Sequence, residues 1–237
     1  MKKNRDYEVA FEKGIVLNVP DHLRKGMLRG TPKKSVISGG LTLDYVIHDL
    51  LEKEGYDGLD ILDYGCGVKF TQAILQYDLN IKSYYGIDID REMIKFLKNN
   101  VSDPRFTFNP VFFYNELYNK SGAEMSKGFK LPCEGQLFDV ITMQSVMTHF
   151  NPKDYRICLE MLKKYLKPSG QIFFTCILNK GQTEDFKNLN PERPLLRASF
   201  SEPYGLKLVE DAGMKIDKYY RRGHHEFLPE HILCSVK

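Results

Sequence analysis

Two short stretches of the chain combine glycines and carboxylates in an order suited to nucleotide binding. The first, ILDYGCGVK, places Asp63 ahead of Gly65 and Gly67. The second, YYGIDID, lies one predicted helix further along and reaches an acid at Asp88. Glycines in a turn after a strand let the backbone approach a ligand closely, and an acid ending the next strand accepts hydrogen bonds from a ribose. Together the two stretches predict a nucleotide-binding half-fold.

The spacing of the glycines narrows the choice of nucleotide. A dinucleotide fingerprint needs a glycine three positions beyond Gly67, where this chain has Phe70, and the Gly-Lys-Ser/Thr of a phosphate-binding loop does not follow. A carboxylate at Asp63 would repel a pyrophosphate but suits a ligand that carries positive charge. S-adenosylmethionine carries an ammonium and a sulfonium. The residues therefore favour this cofactor over a nicotinamide dinucleotide or a nucleoside triphosphate.

A regular alternation of strand and helix signals positions these residues. Apolar runs predict strands at residues 59–63, 83–89, 105–113, 138–143 and 171–178. Helical spacing of apolar residues predicts helices at 42–54, 70–77, 91–101 and 153–166, with a turn at 167–170. The tail adds a helix at 202–212 and a strand pair at 214–222 and 231–237. Such alternation implies a parallel sheet covered on both faces, with the ligand at the carboxyl ends of its strands.

Three segments lack a regular pattern. The first forty residues contain several prolines and glycines, among them Gly39, and are predicted to be irregular. Residues 114–136 form a long loop between predicted strands, and the polar stretch 179–201 is predicted to be a loop or insertion; loops of this length are usually functional. We therefore divide the chain into an N-terminal segment, residues 1–41, with a lid as its predicted role, and a domain at 42–237.

The composition excludes several classes of protein. Hydrophobic residues make up 42% of the 237 residues and charged residues 27%, which allows a sizeable core. The net charge of +3 is too balanced to indicate nucleic acid binding by itself. No apolar run approaches the ~20 residues that span a bilayer, and the basic N-terminus lacks the apolar stretch of a signal peptide. The five cysteines are scattered without zinc-binding spacing, so we expect a cytoplasmic protein without a structural metal.

Four sequence blocks, taken in order, resemble the class I S-adenosylmethionine-dependent methyltransferases over most of residues 42–178. The blocks are ILDYGCG, YYGIDIDREMIKFLKNN, FDVITMQSVMTHF and LKKYLKPSGQIFFT. The resemblance implies an α/β fold of the Rossmann-like class I methyltransferase type, with a seven-stranded, mostly parallel sheet, an antiparallel last strand and helices on both faces. It also implies an enzyme that uses S-adenosyl-L-methionine and releases S-adenosyl-L-homocysteine.

The resemblance also assigns cofactor-binding roles to individual residues. Gly65 and Gly67 would line the methionine part of the cofactor, with Cys66 as a small side chain in the turn between them. Asp88 would bind the ribose, and Ile89 would pack on the adenine. These residues, with Asp63, make up the predicted cofactor site around the first two strands.

Residues after the fourth predicted strand point to the methyl acceptor. Gln144 and Ser145 would line both the cofactor and the acceptor. The chain is similar to small-molecule methyltransferases that share its VPDHLRKGMLRG segment, its Tyr118-Asn119 pair and its stretch from Ser145 to His149, and that act on cell-surface glycans or secondary metabolites. A hydroxyl acceptor needs a base whose pKa lies near neutrality, so His149 is the predicted general base. The alternative is that His149 caps or packs against the next helix.

Two positions depart from the family pattern. Many members have a glycine where this chain has Lys69, whose side chain must then point away from the cofactor. The acid that often follows the third strand is not obvious, and Asn115 and Glu116 are the candidates. In the N-terminal segment, Arg24 or Arg29 would pair with the methionine carboxylate if the segment folds over the cofactor, and otherwise both are surface charges.

The tail contains a group of histidines that invites a metal hypothesis. Two histidines with a carboxylate suit several divalent ions, but adjacent side chains on a strand point to opposite faces of the sheet. We therefore expect a solvated hairpin turn and no metal at His224, His225 and His231.

Two other functions stay open at this point. The stretch MQSVMTHF loosely resembles the mRNA cap guanine-N7 methyltransferases, although the modest net charge argues against RNA. A non-catalytic member of the fold could serve as a binding module, although the intact Asp63 and Asp88 argue against that. The preferred partner is a small molecule with a hydroxyl, with a carbohydrate as one candidate, and neither a membrane nor nucleic acid is expected.

Overall fold

A seven-stranded sheet forms the centre of the computed structural model, which describes residues 7, 9–12, 14–24, 31–115, 119–126 and 128–237. The strands in those ranges are β1 (Asp60–Tyr64), β2 (Ser83–Asp88), β3 (Phe106–Pro110), β4 (Phe138–Met143), β5 (Leu166–Cys176), β6 (Leu178–Asn179), β7 (Phe186–Asn188), β8 (Ala198–Ser201), β9 (Met214–Tyr220) and β10 (Glu230–Val236). The sheet has the order β3-β2-β1-β4-β5-β10-β9. Strands β1 to β5 pair in parallel, and β10 is antiparallel to both of its neighbours. The predicted sheet with an antiparallel last strand is confirmed.

Five α-helices within the described ranges cover the sheet, and all but the first lie where the apolar periodicity predicts them. They are α1 (Pro32–Asp44), α2 (Lys69–Gln76), α3 (Arg91–Asn100), α4 (Pro152–Leu162) and α5 (Glu202–Asp211). Side-chain caps fix two of the starting points: Asp90 accepts from the Met93 amide at 3.1 Å, and Asn151 accepts from the Asp154 amide at 2.9 Å. Such caps satisfy amide groups that the first helical turn leaves without partners.

The central strands are buried on both faces, and successive residues enter two separate cores. All five residues of β1 are buried, as expected of a parallel strand covered on both sides. Because side chains alternate along a strand, Ile61 belongs to one core and Leu62 to the other. The same alternation holds for Phe173 and Phe174 in β5. This packing fixes the register of the sheet and therefore the positions of the loops at its carboxyl edge.

The first helix differs from the sequence prediction. A helix was expected at 42–54, but α1 begins at Pro32 and continues from Tyr45 to Leu50 as a π-helical segment. Glycines in the predicted irregular segment lie inside α1 because it packs closely on α2: a Cβ at Gly39 would lie 2.8 Å from the Lys69 carbonyl oxygen. The proposed boundary between residues 41 and 42 falls within this helix, and the domain division itself stays a prediction.

Two further segments also differ from their predictions. The expected turn at 167–170 belongs to β5, where the register against β4 shifts between Phe138 and Val140. The shift leaves extra residues in β5, and Gly170 among them lies close to the Phe138 carbonyl oxygen. In the sequence, these residues have the pattern of a turn. The expected loop at 179–201 contains short strands instead, because β7 and β6 pair with β8 in a small second sheet.

Among the helices within the described ranges, none combines the length and the apolar character that crossing a bilayer requires.

Candidate active site

The turn after β1 has a conformation that its glycines make possible. Gly65 and Gly67 have φ angles of +74° and +47°, which lie in the region that glycine adopts at little cost. The amides of Gly65 and Cys66 both donate to the Ile87 carbonyl, at 2.8 and 3.1 Å. A Cβ on Gly65 would clash with Val146, whereas a Cβ on Gly67 would meet no atom within 4 Å. The turn is therefore hydrogen-bonded to β2 and packs against the segment after β4, and the space next to the Gly67 Cα is unoccupied by other described residues.

The carboxylate of Asp88 joins the two sequence stretches at the carboxyl ends of β1 and β2. One oxygen accepts from the Gly67 amide and the other from the Asp90 amide, both at 2.9 Å. Asp88 and Ile89 are half-buried at this edge. The structure thus brings the glycine turn and the predicted ribose-binding acid into direct contact, while the ribose contact itself stays a prediction.

Asp63 lies beneath the turn and is almost fully buried. Its oxygens accept from the hydroxyl groups of Tyr84 at 2.5 Å and Thr142 at 2.7 Å. Burial raises its pKa to about 6, although the two hydrogen bonds oppose that shift. The predicted direct contact with a cationic ligand is untested, but the observed partners make Asp63 a buried cross-link between β1, β2 and β4.

Cys66 is a buried component of the turn. A Cβ at Gly86 of β2 would lie 3.1 Å from its sulfur, so the thiol fills the space that this glycine leaves. Burial raises the pKa of the Cys66 thiol well above its ordinary value, and nearby carboxylates add to the shift. The geometry therefore supports a packing role for the side chain at the cofactor turn, with no reactive thiolate.

The segment after β4 places Gln144 and Ser145 beside the glycine turn. Gln144 is half-buried, and Ser145 is exposed with a φ angle of +60°, which is unusual for a residue with a side chain. The Ser145 amide donates to the Thr175 hydroxyl of β5 at 2.7 Å. This bond holds the strained residue at the carboxyl edge of the sheet, where such strain is common in functional sites.

His149 ends a short 3₁₀ turn that follows, and a distant loop holds its ring. Its Nδ1 lies 3.0 Å from the carbonyl oxygen of Leu195, in the loop between β7 and β8. Donation to a carbonyl requires the proton on Nδ1, so Nε2 is the basic nitrogen of the neutral ring. Burial lowers the pKa of His149, and the contacts with the backbone at Leu195 and Leu196 oppose that shift. The ring is therefore neutral near pH 7 and suited to accept a proton.

The comparisons with known proteins agree with this geometry. Residues 62–174, from the first strand to the fifth, match the family described as "Methyltransferase domain". The chain carries a class I S-adenosylmethionine-dependent methyltransferase domain. A ribosomal protein L11 methyltransferase of Paraburkholderia xenovorans is 28% identical over 134 residues, which cover 56% of this chain but only 37% of that protein.

Solved structures share the fold of the methyltransferase domain. A magnesium protoporphyrin IX methyltransferase of Synechocystis, with bound S-adenosylmethionine, is 14% identical with a TM-score of 0.56 and covers 90% of this chain and 87% of its own. A Burkholderia thailandensis 1,6-didemethyltoxoflavin-N1-methyltransferase is 14% identical with a TM-score of 0.56, covering 88% and 81%. An S-adenosylmethionine-dependent methyltransferase of Leishmania major is 16% identical with a TM-score of 0.60, covering 98% and 82%. At these identities, the likeness establishes the fold.

The residues of the methyltransferase domain fit its cofactor. The glycine turn leaves free space at Gly67, next to the Asp88 carboxylate. In the N-terminal segment, Arg24 pairs with Asp21, and its Nε and Nη1 are buried without a partner in the described part of the chain. Buried guanidinium donors of this kind suit a carboxylate such as that of methionine. The pairing of Arg24 with the cofactor stays a prediction, and Arg29 lies outside the described residues.

Lys69, the departure from the methyltransferase pattern, begins α2 and lies against α1. Its side chain packs next to Gly39, so a Cβ there would come within 3.2 Å of the Lys69 Cγ. Burial lowers the pKa of its ammonium to about 8. The side chain is therefore occupied in the contact between two helices, as expected for a lysine that points away from the cofactor.

Three further residues that the sequence singled out lie in or beside the segment after β3. Asn115, considered for the adenine, is buried and donates from Nδ2 to the His149 carbonyl at 3.2 Å. Glu116 and Tyr118 lie outside the described residues. The contact between Leu195 and His149 was not predicted, because a backbone carbonyl 46 residues away along the chain leaves no signal in the sequence.

One of the three tail histidines departs from the predicted solvated turn, whereas exposed His224 and half-buried His225 lie in the turn between β9 and β10. His231 is fully buried at the start of β10, where its Nε2 lies 2.8 Å from the Tyr45 hydroxyl and its Nδ1 lies 2.9 Å from the Pro229 carbonyl. The long-range contact with Tyr45 buries it, which its neighbours in the sequence do not reveal. Across the described ranges, no group of three or more His, Cys, Asp or Glu side chains is arranged to hold a metal ion.

Proposed function

We propose that this methyltransferase transfers the methyl group to a hydroxyl of a small molecule, with a sugar or a secondary metabolite as the acceptor class. The observation that carries the proposal is the placement of His149. Two long loops that the sequence left unassigned, 114–136 and 179–201, both reach this histidine, through Asn115 and Leu195. A base enclosed by two loops at the edge of the cofactor site suits a small acceptor in a closed pocket.

The chemistry divides between the cofactor and the protein. When bound, S-adenosylmethionine supplies an electrophilic methyl group. The task of the chain is to hold the acceptor oxygen in line, and such alignment supplies about 7–11 kcal/mol in well-oriented systems. His149 removes the hydroxyl proton at Nε2, because Nδ1 donates to Leu195. The lowered pKa of His149 keeps its ring neutral near pH 7, the state in which it can accept a proton.

The relatives support more than one acceptor class. Two of the structural neighbours are named for small molecules, magnesium protoporphyrin IX and 1,6-didemethyltoxoflavin. The L11 methyltransferase is named for a ribosomal protein, but this chain spans only 37% of its length. The enclosure of His149 favours the small molecule, because a protein or RNA acceptor needs an open groove.

The test is an acceptor screen with S-adenosylmethionine that carries a labelled methyl group. The full chain is first shown to bind S-adenosylhomocysteine by calorimetry and is then incubated with pools of hydroxylated small molecules, with total RNA and with ribosomal protein. We expect label on a small molecule, in an ether linkage by mass spectrometry. Label on RNA or protein alone would contradict the acceptor class, and failure to bind the cofactor would favour a non-catalytic member of the fold.

A further inference from the structure

A cationic cavity lies at the same carboxyl edge of the sheet, beyond the ends of β5 and β9. Its volume is about 440 Å³, and its lining includes Ile177, the residue directly after β5. Four basic and two acidic side chains line it: Lys180, Arg197, Arg221, Arg222, Glu202 and Glu230. Basic groups outnumber acidic ones, so an anion is the ligand that such a wall attracts.

Two short segments of the chain connect the cavity with the residues that hold the proposed base and the segment before it. Arg197 lies two residues after Leu195, whose carbonyl holds the His149 ring. On the other side, the Ser145 amide is bonded to Thr175, two residues before Ile177. One neighbouring strand and one loop thus connect the cavity with the segment after β4, at the same edge of the sheet.

The charges in the cavity are unequally neutralised. Arg221 donates twice to Glu202, at 2.8 and 2.7 Å, and this pairing holds the pKa of Glu202 below its usual range, with Lys180 adding to the effect. Arg222 lies 3.6 Å from Glu230, beyond hydrogen-bond distance. Within the described residues, no ion pair or side-chain hydrogen bond engages the charged groups of Lys180 and Arg197, both of which are exposed. Two cations of the cavity, Lys180 and Arg197, therefore have no ion pair among the described residues, and a third, Arg222, has only the long ion pair with Glu230.

Glu230 supplies a complementary observation. It is buried to more than nine tenths, and its Oε2 has no hydrogen-bond partner in the described part of the chain. A buried carboxylate oxygen without a donor is costly, and a ligand hydroxyl would satisfy it. The cavity wall thus combines cations for an anionic group with an acceptor for a hydroxyl.

We propose that this cavity binds an acceptor that carries both hydroxyls and an anionic group, a phosphate or a carboxylate. The anion contacts Lys180, Arg197 and Arg222, and a hydroxyl donates to Glu230. The inference rests on the proposed function, because it names the substrate class of the same site: a sugar phosphate or a sugar acid in place of a neutral sugar.

The experiment compares three probes on the full chain saturated with S-adenosylhomocysteine. Glucose 6-phosphate, glucuronate and glucose are titrated by calorimetry at low and at moderate salt. We expect an anionic probe to bind at least about tenfold more tightly than glucose, with an affinity that falls as salt is added. The phosphate and carboxylate arms distinguish the two anions. Equal affinity for all three probes, or no binding of either anionic probe, would overturn the proposal.

Variants test whether these side chains are responsible. Arg222→Gln should weaken binding of the preferred anion about tenfold. Lys180→Gln, at an exposed position, tests the same point without a risk to folding. The matched control is Arg156→Gln, because Arg156 also lies 3.6 Å from a glutamate, Glu160 of α4, but outside the cavity. If the cavity variants bind the anion as tightly as the control, the assignment is wrong.

The two proposals fail in distinguishable ways. Loss of S-adenosylhomocysteine binding by the unaltered chain would contradict the methyltransferase function itself. Retained cofactor binding without a preference for anions would contradict only the role of the cavity.

Discussion

The two halves of the carboxyl edge are built by different kinds of contact. In the half predicted to bind the cofactor, called the cofactor half below, backbone amides of the glycine turn donate to Ile87 and Asp88, at the end of the adjacent strand. In the half proposed to hold the acceptor, called the acceptor half below, Asn115 and Leu195 reach His149 from loops 34 and 46 residues away. The first arrangement follows from one strand-turn-strand unit, whereas the second depends on how long loops fold over the sheet.

This difference predicts that the two halves can change independently of each other. A turn whose donors are backbone amides tolerates many side chains, provided that the glycines and the acid remain. An acceptor wall made of loop residues changes with each insertion, so enzymes of one fold take different substrates. Substitutions in one half should therefore leave the function of the other half intact.

The largest expected effect is on turnover when the base is removed. His149→Gln should reduce kcat on the acceptor about 10²–10⁴-fold, the usual contribution of general base catalysis. The wild-type rate should rise with pH through a pKa below 6.5, because burial lowers the pKa of His149, and the variant should lose that dependence. Affinity for S-adenosylhomocysteine, measured by calorimetry, should not change.

His48 offers a matched control for this substitution. Its Nδ1 also faces a backbone carbonyl, that of Lys53 at 2.8 Å, but it lies in the π-helical segment away from the site. His48→Gln should keep full turnover. Wild-type turnover in His149→Gln would show that this histidine only packs against the neighbouring loop.

The next effect is on cofactor affinity. Asp88→Ala removes the acceptor of the Gly67 and Asp90 amides and the predicted ribose contact. Charged hydrogen bonds contribute about 1.5–3 kcal/mol each, so the affinity for S-adenosylhomocysteine should fall ~100-fold. Asp90→Asn, which keeps an acceptor to cap α3, is the control and should bind normally. Unchanged calorimetric affinity in Asp88→Ala would remove the ribose assignment.

The sequence predicts the cofactor half well for the same physical reason. Strand β4 has the predicted bounds, and the turn and Asp88 meet as expected, because short-range patterns encode them. The predicted start of the first helix was wrong because Gly39 allows α1 to pack closely on α2. In the sequence, a glycine at such a packing position looks the same as a glycine that breaks a helix. The sequence could not predict the environment of His149 or the burial of His231, because both depend on contacts with residues far away along the chain.

The smallest effect concerns Asp63, and it separates support of the turn from contact with the ligand. Its pKa is raised from 3.8 to about 6, so the folded protein binds more protons than the unfolded chain between those values. Stability contributed by this group therefore falls as pH rises, by about 1.4 kcal/mol per pH unit. The Asp63→Asn variant has no carboxyl to titrate here, so its stability should not fall in this way. The difference between its free energy of unfolding and that of the wild type, measured with denaturant, should therefore shift in favour of the variant as the pH rises from 4 to 6.

Asp60, in the same strand, serves as the control because its pKa is shifted in the opposite direction. Burial opposes the shift, but hydrogen bonds from Lys167, Lys82 and Ser83 lower its pKa to about 2. Folded Asp60 is therefore ionised across pH 4–6, and the unfolded carboxyl, with its ordinary pKa of 3.8, is ionised above about pH 5, so Asp60→Asn should differ from the wild type by a nearly constant amount between pH 5 and 6. If Asp63 acts as a cross-link, Asp63→Asn should also bind S-adenosylhomocysteine almost as tightly as the wild type. A stable Asp63→Asn variant that no longer binds it would instead make Asp63 a direct ligand, so that two carboxylates of the cofactor half contact the cofactor.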